Sequence, residues 1–353
     1  MKVLITGGAG FVGSHLAKLY REEKGVEVTV LDNLKRRGSE INLPEFKRRG
    51  IHFVHGDIRS ATDLADLTGS YDLLVEASAE PSVHAGLTSS PNYLLQTNLQ
   101  GTLNCLEFAR SRVNALIFLS TSRVYSLQPL KEIQLEEAAT RLEISAKQKW
   151  PGVSAAGLNE NFPTHLPRSL YGASKLASEL VIQEYVDSFK MKAVINRCGV
   201  IAGPGQFGKV DQGVFTLWIA NHYFNKPLRY TGFGGTGKQV RDLLHPRDLF
   251  ALLQKQVAQI ESWSGEIFNI GGGRKVSTSL LEWTKEAERV TGHSVKIPGD
   301  PATAHVDVPL YVTDSRQAFD KFGWKPEVTR ETIADEIGAW LKSNEPSLRE
   351  LFS

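Results

Sequence analysis

The chain has 353 residues, 41% of them hydrophobic and 23% charged, which is typical of a soluble protein with two coupled domains or one large α/β unit. Its 41 lysines and arginines against 39 aspartates and glutamates leave a net charge of +2, which gives no reason to expect nucleic acid or an anionic membrane as a partner. No apolar run is long enough to span a bilayer, and no signal-peptide pattern opens the chain, so we expect a cytoplasmic protein.

Two cysteines and two basic clusters add little evidence of a special site. Cys105 and Cys198 each lie in an apolar segment, as expected of buried thiols in a reducing compartment. Without a CxxC pair or a His/Cys cluster, the sequence predicts no metal site. We interpret Lys35–Arg37 and Lys47–Arg49 as solvated loop faces, the alternative being a contact with a cofactor phosphate.

Short apolar runs alternate with helical patterns over the first 200 residues. Helical spacing is clearest in "SHLAKLYREEKG", over 91–112 and over 171–189. The runs that we predict to be strands are "MKVLITGG", "VEVTVLD", "IHFVHGD", "YDLLVEAS", "ALIFLST" and "KAVINRC". The alternation predicts an α/β fold with a Rossmann-type, doubly wound parallel sheet.

The regular alternation of strand and helix patterns ends at about Gly203. A Gly-rich loop, "GPGQFGKVDQG", precedes a helical "VFTLWIANHYF", a strand-like "GEIFNIGGG", and helical patterns at 279–291 and 331–342. We predict a nucleotide-binding domain over 1–200, with part of 240–274 packed back on it, and over 201–353 mostly a smaller α/β lobe for the substrate.

The first strand ends in a glycine-rich loop, with Gly7, Gly10 and Gly13 in "GGAGFVG". Glycines let the backbone approach a pyrophosphate, and the N-terminus of the following helix offers free N–H groups to it. The alternative is an ordinary tight turn between strand and helix. Position and spacing together favour a dinucleotide-binding loop.

Two aspartates extend this prediction. Asp32 ends the second strand, about twenty residues past the loop, where a carboxylate accepts hydrogen bonds from the adenosine ribose. It would repel a 2′-phosphate, so NAD is favoured over NADP, although Arg36 and Arg37 leave NADP open. Asp57 ends the third strand and could reach the adenine, or serve as a helix cap or turn residue.

Tyr171 and Lys175 lie four residues apart in "SLYGASK", on one face of a predicted helix. An ammonium near a phenol favours the phenolate, which permits proton transfer near neutral pH. Thr121, at the end of the fifth strand, is our candidate for the hydroxyl that orients the substrate oxygen toward Tyr171. Taken alone, a threonine there is more often a local cap or turn residue.

These motifs together resemble those of the extended short-chain dehydrogenases/reductases, in the NAD-dependent epimerase/dehydratase group that acts on nucleotide sugars. The segments in family order are "GGAGFVGS", "GDIRS", "TNLQGTLNCLE", "STSRVY", "YGASK", "FGKVDQGVF", "GKQVRDLLH" and "FNIGGG". The combination of "KVDQG" with "GKQVRDLLH" is similar to epimerases of the CDP-paratose to CDP-tyvelose type, which act at C2 of a CDP-linked deoxyhexose.

The resemblance implies a set of site residues. Catalysis would fall to Thr121, Tyr171 and Lys175, and substrate binding to Thr121, Ser122, Gln212 and Arg241, the last at the substrate diphosphate. The residues implied along the NAD are Gly7, Gly10, Phe11, Val12, Gly13, Asp32, Asn33, Asp57, Ile58, Ala79, Asn98, Tyr171, Lys175 and Cys198.

The chain also departs from the family pattern. "EASAEPSV", with the charged Glu80, replaces a His-Leu-Ala-Ala-type segment, and Ala304 and Pro309 stand where arginines are usual. Ser122-Arg123 replaces the Asp-Glu pair of the 4,6-dehydratases, which disfavours a lyase. We therefore expect a nucleotide-sugar epimerase with NAD as its cofactor, as a homodimer or homotetramer. The alternatives are a UDP-hexose 4-epimerase, a one-way ketoreductase and a non-catalytic NAD(P)-sensing module.

Overall fold

The computed structural model describes residues 1–207 and 213–349, which form two compact units. The first unit comprises Met1–Val124, Ser169–Arg197 and Leu249–Phe268. The second comprises Tyr125–Arg168, Cys198–Asp248 and the chain from Asn269 onward. The roles that the sequence suggests for two domains, one for NAD and one for substrate, stay a prediction.

Strands and helices alternate over most of the chain. The strands are β1 (Lys2–Thr6), β2 (Glu27–Asp32), β3 (His52–His55), β4 (Tyr71–Glu76), β5 (Val113–Thr121), β6 (Leu135–Glu137), β7 (Leu142–Ile144), β8 (Val153–Ser154), β9 (Gly157–Leu158), β10 (Lys192–Cys198), β11 (Val200–Ile201), β12 (Tyr230–Thr231), β13 (Val240–Leu244), β14 (Glu266–Ile270), β15 (Ser277–Ser279), β16 (Gly299–Asp300) and β17 (Leu310–Tyr311). The α-helices are α1 (Phe11–Glu22), α2 (Leu43–Arg49), α3 (Ala61–Ala65), α4 (Asn92–Leu95), α5 (Gly101–Arg112), α6 (Leu127–Lys131), α7 (Leu170–Phe189), α8 (Val214–Tyr223), α9 (Pro246–Val257), α10 (Leu280–Thr291), α11 (Arg316–Phe322), α12 (Arg330–Ser343) and α13 (Glu345–Arg349).

A seven-stranded sheet organises the first unit, in the order β14-β10-β5-β4-β1-β2-β3. The pairs β1–β2, β1–β4, β2–β3 and β4–β5 are parallel, and Thr6 lies opposite Glu76, which lies opposite Phe118. Strands of a parallel sheet are buried on both faces, which is why they read as continuous apolar runs. The predicted fold class, an α/β fold with a Rossmann-type sheet, is confirmed.

One face of this sheet carries the core on which the candidate site rests. Leu74, Leu116 and Phe118 from the strands pack with Cys105 and Leu106 of α5. On the same face, a five-residue π-helix over 96–100 joins α4 to α5 inside the segment that the sequence predicts as one helix, 91–112. Such single turns often occur at functional sites.

The second unit has its own sheet and core. Strand β13 pairs in parallel with β11 and β17 and antiparallel with β15. Helices α8, α10 and α12 enclose a core that includes Trp218 and Trp283, and Trp283 donates its ring N–H to the carbonyl of Phe215 at 2.9 Å. The predicted helices at 279–291 and 331–342 correspond to α10 and α12, within one residue at each end.

Three details differ from the sequence-based expectations. Lys47–Arg49 are the last turn of α2 rather than a loop, and Arg49 pairs with Glu45 and, at 2.6 Å, with Glu22. Asp57 lies two residues beyond the end of β3, and Cys198 is the last residue of β10 rather than just past it.

Among the residues described, no helix is both long and apolar enough to cross a membrane.

Candidate active site

The glycine loop between β1 and α1 is shaped by close backbone contacts. Gly7 has a φ of +64°, and a Cβ at Gly13 would lie 2.2 Å from the Gly7 carbonyl oxygen, so neither position tolerates a side chain. Gly10 caps α1 with extended backbone, and the first turn contains no acidic residue. The helix N-terminus is therefore open to an anion, which fits the pyrophosphate of NAD.

Asp32 lies beside this loop and is held by it. Its Oδ2 accepts the N–H of Ala9 at 3.0 Å, and its Oδ1 accepts the N–H of Leu34 at 2.8 Å. Burial raises the pKa of Asp32, and backbone hydrogen bonds from Leu34, Ala9 and Gly10 oppose that rise. The carboxylate is thus fixed at the end of β2, in the position that a ribose-binding residue requires.

Asn33 and Asp57 are joined by a hydrogen bond of 2.8 Å from Nδ2 to Oδ2. Arg59 also binds Asp57, with Nη2 2.6 Å from Oδ2. Burial raises the pKa of Asp57, but the hydrogen bonds from Arg59 and Asn33 outweigh it and hold the value at about 2. Ile58 is buried against Gly101, where a Cβ would lie 2.4 Å from its Cδ1. These residues form a fixed, charged edge beside β2 and β3.

Asn98 in the π-helix connects the segment after β4 to helix α7. Its Oδ1 accepts the N–H of Glu80 at 2.7 Å, and its Nδ2 donates to the Glu80 carbonyl at 3.0 Å and to Ser174 Oγ at 3.1 Å. Ala79 therefore precedes a residue, Glu80, whose backbone N–H and carbonyl are both hydrogen-bonded to Asn98. The structure thus brings two implied cofactor residues, Ala79 and Asn98, together with the Tyr171 helix.

Tyr171 and Lys175 both lie in the first two turns of α7. Ser169 caps this helix by accepting the N–H of Gly172 at 3.1 Å. Tyr171 is half-buried, whereas Lys175 is 1% exposed, with Nζ 3.8 Å from the centre of the Phe118 ring. A cation at that distance from a ring face is attracted by its quadrupole. The predicted helical placement of the pair is observed, and the burial of the lysine was not foreseen.

Thr121 ends β5, as predicted from the sequence, and is 8% exposed. Its Oγ1 accepts the N–H of Arg123 at 3.2 Å, which is the local turn that the alternative interpretation expects. Ser122 opens the 3-10 turn Ser122–Val124, which packs against α7. The turn after β5 and helix α7 are therefore neighbours, and a hydroxyl such as that of Thr121 can both donate to and accept from a substrate oxygen.

A buried ion pair supports the same corner of the sheet. Arg197 of β10 binds Glu179 of α7, with Nη2 2.7 Å from Oε2, and the two side chains are 6% and 1% exposed. The Ser120 hydroxyl donates to the same carboxylate. This group fixes α7 against the strand that carries Thr121, and the sequence reasoning missed it. The sequence feature that could have indicated this ion pair is Glu179, a carboxylate four residues after Lys175 on the same face of the predicted helix.

Sequence reasoning also missed Glu76, the last residue of β4. It is 0% exposed in the middle of the sheet, and its Oε1 accepts the Thr102 hydroxyl at 2.5 Å. The sequence feature that could have indicated a buried carboxylate is the glutamate that ends the apolar run "YDLLVE". Among the described residues, no group of three or more His, Cys, Asp or Glu side chains could hold a metal ion.

Two predicted site residues belong to the second unit. Cys198 is 4% exposed and belongs to the second unit. Arg241 lies in β13 of that unit, with Nη1 2.7 Å from its neighbour Val240's carbonyl oxygen and Nη2 2.7 Å from that of Val308. Gln212 falls outside the residues that the structure describes.

Comparison with known proteins decides the family. The sequence pattern of the NAD dependent epimerase/dehydratase family matches residues 3–271. The chain belongs to this family. The prediction of an NAD-dependent enzyme is therefore confirmed, and the glycine loop and Asp32 are residues that fit its cofactor.

Relatives in the family act on several substrates. The chain is 32% identical to the CDP-paratose 2-epimerase of Salmonella typhi, over 97% of this chain and 100% of that one. It is 28% identical to the UDP-glucose 4-epimerase of Corynebacterium glutamicum, over 97% and 96% of the two chains. Among solved structures, it is similar to a double mutant of DesIV, a dTDP-glucose 4,6-dehydratase of Streptomyces venezuelae with NAD bound, at a TM-score of 0.78 and 26% identity over 99% and 100% of the two chains.

Proposed function

We propose that this protein is an NAD-dependent epimerase of nucleotide sugars that acts at C2 of a CDP-linked deoxyhexose. The observation that carries the proposal is the Tyr171 and Lys175 pair on α7, next to the end of β5 with Thr121. The choice of sugar and carbon is supported by the 32% identity to a CDP-paratose 2-epimerase over essentially the full length of both chains.

Each member of the catalytic set has a distinct task in this proposal. Bound NAD supplies reversible hydride transfer. Tyr171 removes the proton from the ring hydroxyl during oxidation and returns one during reduction, while Thr121 orients the reacting oxygen by a hydrogen bond. The Lys175 ammonium favours the phenolate of Tyr171, whose ordinary pKa of about 10 is otherwise too high for a base near neutral pH. The ketone must present its opposite face before it is reduced again.

Elimination of water, the reaction of the 4,6-dehydratases, fits the chain less well. Ser122 and Arg123 follow Thr121 in the turn after β5, where the dehydratase pattern has an Asp-Glu pair. A hydroxyl and a guanidinium do not replace two carboxyl groups as acid and base. This difference weighs against a lyase despite the similarity to DesIV.

A UDP-hexose 4-epimerase is the second candidate, and the relative from Corynebacterium glutamicum favours it. The same Tyr171, Lys175 and Thr121 would act, with the sugar turned to present another carbon. Arg241 is assigned to the substrate diphosphate in either case. We further assign NAD binding to the first unit and most substrate contacts to the second, and expect a dimer or tetramer.

A panel of CDP-, UDP- and dTDP-linked hexoses, each incubated with the protein and followed by proton NMR, tests the proposal. Inversion at C2 of a CDP-deoxyhexose is expected. An epimerase regenerates its cofactor in each cycle, so NAD should also be recovered from the denatured purified protein. Inversion at C4 of a UDP-hexose would establish the second candidate, and consumption of one external NADH per turnover would establish a ketoreductase. Product without inversion and with loss of water would establish a dehydratase.

A further inference from the structure

Glu76 and Lys175 are both buried on the face of the seven-stranded sheet that carries Phe118. Glu76 ends β4 and lies opposite Phe118 of β5 in a parallel pair, so both side chains project from the same face of the sheet. Lys175 reaches that face from α7, with Nζ 3.8 Å from the Phe118 ring centre. The carboxylate and the ammonium are 0% and 1% exposed, so water screens neither of them.

The hydrogen bonds around Glu76 are compatible with an ionised carboxylate. The Thr102 hydroxyl is 2.5 Å from Glu76 Oε1 and 2.9 Å from the carbonyl oxygen of Asn98. It carries one proton, and the Asn98 carbonyl already accepts the hydroxyl of Ser178 at 2.9 Å. The Thr102 hydroxyl can donate this proton to Glu76, and the Asn98 carbonyl then keeps Ser178 as a donor. Glu76 Oε2 has no hydrogen-bond partner among the described residues.

A buried carboxylate with a single hydrogen bond needs a positive charge nearby, because isolated buried charges are very costly. Burial raises the pKa of Glu76, and the Lys175 charge, followed by the Thr102 hydrogen bond, opposes that rise without cancelling it. Cys105, on α5, also packs on this face of the sheet, and burial raises the pKa of its thiol well above the ordinary range. Other polar groups near this face, among the described residues, include Thr6 on β1, which lies opposite Glu76, and the paired Glu179 and Arg197. Tyr171 lies one helical turn before Lys175 on α7.

We propose that Glu76 is a positioning residue that keeps Lys175 charged and in place beside Tyr171. The inference rests on the proposed function only for its effect on turnover, since the coupling of the two charges needs no substrate. Burial favours a neutral lysine, and a neutral lysine gives Tyr171 no electrostatic help. The carboxylate of Glu76 offsets that burial, and Thr102 orients the carboxylate.

The test measures the ionisation of Lys175 directly, by the pH dependence of its ¹³Cε NMR shift in the NAD-loaded protein. Loss of the signal in Lys175→Met assigns it. Glu76→Gln retains the volume and a hydrogen-bond acceptor but removes the charge, so the Lys175 midpoint should move to lower pH by about one unit or more. The alkaline limb of kcat should move by the same amount, and Glu76→Asp should restore much of both.

The matched control is Asp248→Asn, which neutralises a 6% exposed carboxylate of the second unit and should leave the Lys175 midpoint in place. An unchanged midpoint in Glu76→Gln overturns the proposal, whether or not an epimerase substrate has been found. If Glu76→Gln does not fold, isotope-edited infrared spectra of the wild type and of Lys175→Met report the protonation state of Glu76 instead. An ionised Glu76 that becomes protonated in Lys175→Met supports the coupling, and a Glu76 already protonated in the wild type at neutral pH overturns it.

Discussion

The amide nitrogen of Asn98 donates a hydrogen bond to Ser174 Oγ at 3.1 Å, and the Ser174 hydroxyl donates in turn to the Tyr171 carbonyl at 2.8 Å. A π-helical turn is thereby tied to α7, in the turn between Tyr171 and Lys175. Because the same amide also binds the N–H and the carbonyl of Glu80, one side chain fixes the segment after β4 and helix α7 together. These hydrogen bonds hold the backbone of Tyr171 in place at the start of α7.

Replacing Tyr171 by phenylalanine should abolish most turnover and leave the fold intact. The change removes the proton-transferring hydroxyl and keeps the ring, so kcat should fall by roughly 10²–10⁴-fold. NAD should remain bound at wild-type stoichiometry. Tyr185→Phe is the matched control, because Tyr185 lies on the same helix and is bound to Glu107 at the surface. A near-normal kcat in Tyr171→Phe would show that Tyr171 and Lys175 only pack on one face of α7 and do not transfer protons.

Replacing Asp32 by alanine should narrow the preference for NAD over NADP. Asp32 is held by Ala9 and Leu34 at the end of β2, so it can accept hydrogen bonds from the ribose hydroxyls and repel a 2′-phosphate. We expect the difference in binding free energy to shrink by about 1–3 kcal/mol, measured by titration calorimetry with both cofactors. Equal wild-type affinities would contradict the assignment and direct attention to Arg36 and Arg37.

The sequence predicted the order of the main strands, helices and motifs better than it predicted which polar side chains are buried. The glycine loop, Asp32 and the Tyr171 helix could be placed because local spacing and strand-to-helix order determine their positions. The two small hairpins β6–β7 and β8–β9 were not predicted, because strands of two or three residues carry almost no periodic signal. Nor could the burial of Lys175 and Glu76 be predicted, because it depends on which strands are neighbours in the sheet.

Arg241 is predicted to bind the substrate diphosphate. Its guanidinium donates to the carbonyl oxygens of Val240 and Val308, which fixes the planar group near the start of β13. A lysine cannot reproduce a bidentate contact with phosphate. Arg241→Lys should therefore raise KM for the nucleotide sugar by about tenfold or more, while the affinity for NAD stays unchanged.

The control for Arg241→Lys is Arg229→Lys, at an exposed arginine of the same unit that lies 3.5 Å from Asp300. Thermal melting separates the two roles of Arg241. A lower melting temperature with a normal KM would assign Arg241 to the structure of its unit. The alternative role of Arg241 is a structural pairing with Asp242 or Asp248 that holds its unit together. The Asp248 carboxylate accepts the backbone N–H groups of Glu327 and Val328, and Asp242 accepts that of Gly273 at 3.0 Å.

His245 is expected to make the stability of the protein depend on pH below neutrality. Its side chain is 2% exposed, and burial, with a smaller effect of the Arg247 charge, lowers its pKa from 6.5 to about 4. Its Nδ1 accepts the N–H of Arg247 at 3.2 Å, a bond that protonation of Nδ1 would break. The Glu336 carboxylate, 3.2 Å from Nε2, favours the charged ring, but it is partly exposed and also binds Arg247. Burial therefore prevails.

The sign of the effect follows from where the proton binds. Between pH 6.5 and about 4 the unfolded chain binds a proton at His245 and the folded protein does not, so stability rises with pH across this window. The contribution is complete above pH 6.5 and should fall by about 2 kcal/mol between pH 7 and pH 5. Urea unfolding at several pH values measures it. His245→Gln, which does not titrate, should lose this part of the pH dependence, whereas His52→Gln at the exposed edge of β3 should retain it. Identical pH dependence in wild type and His245→Gln would show that the ring is protonated as easily in the folded protein as in the unfolded chain.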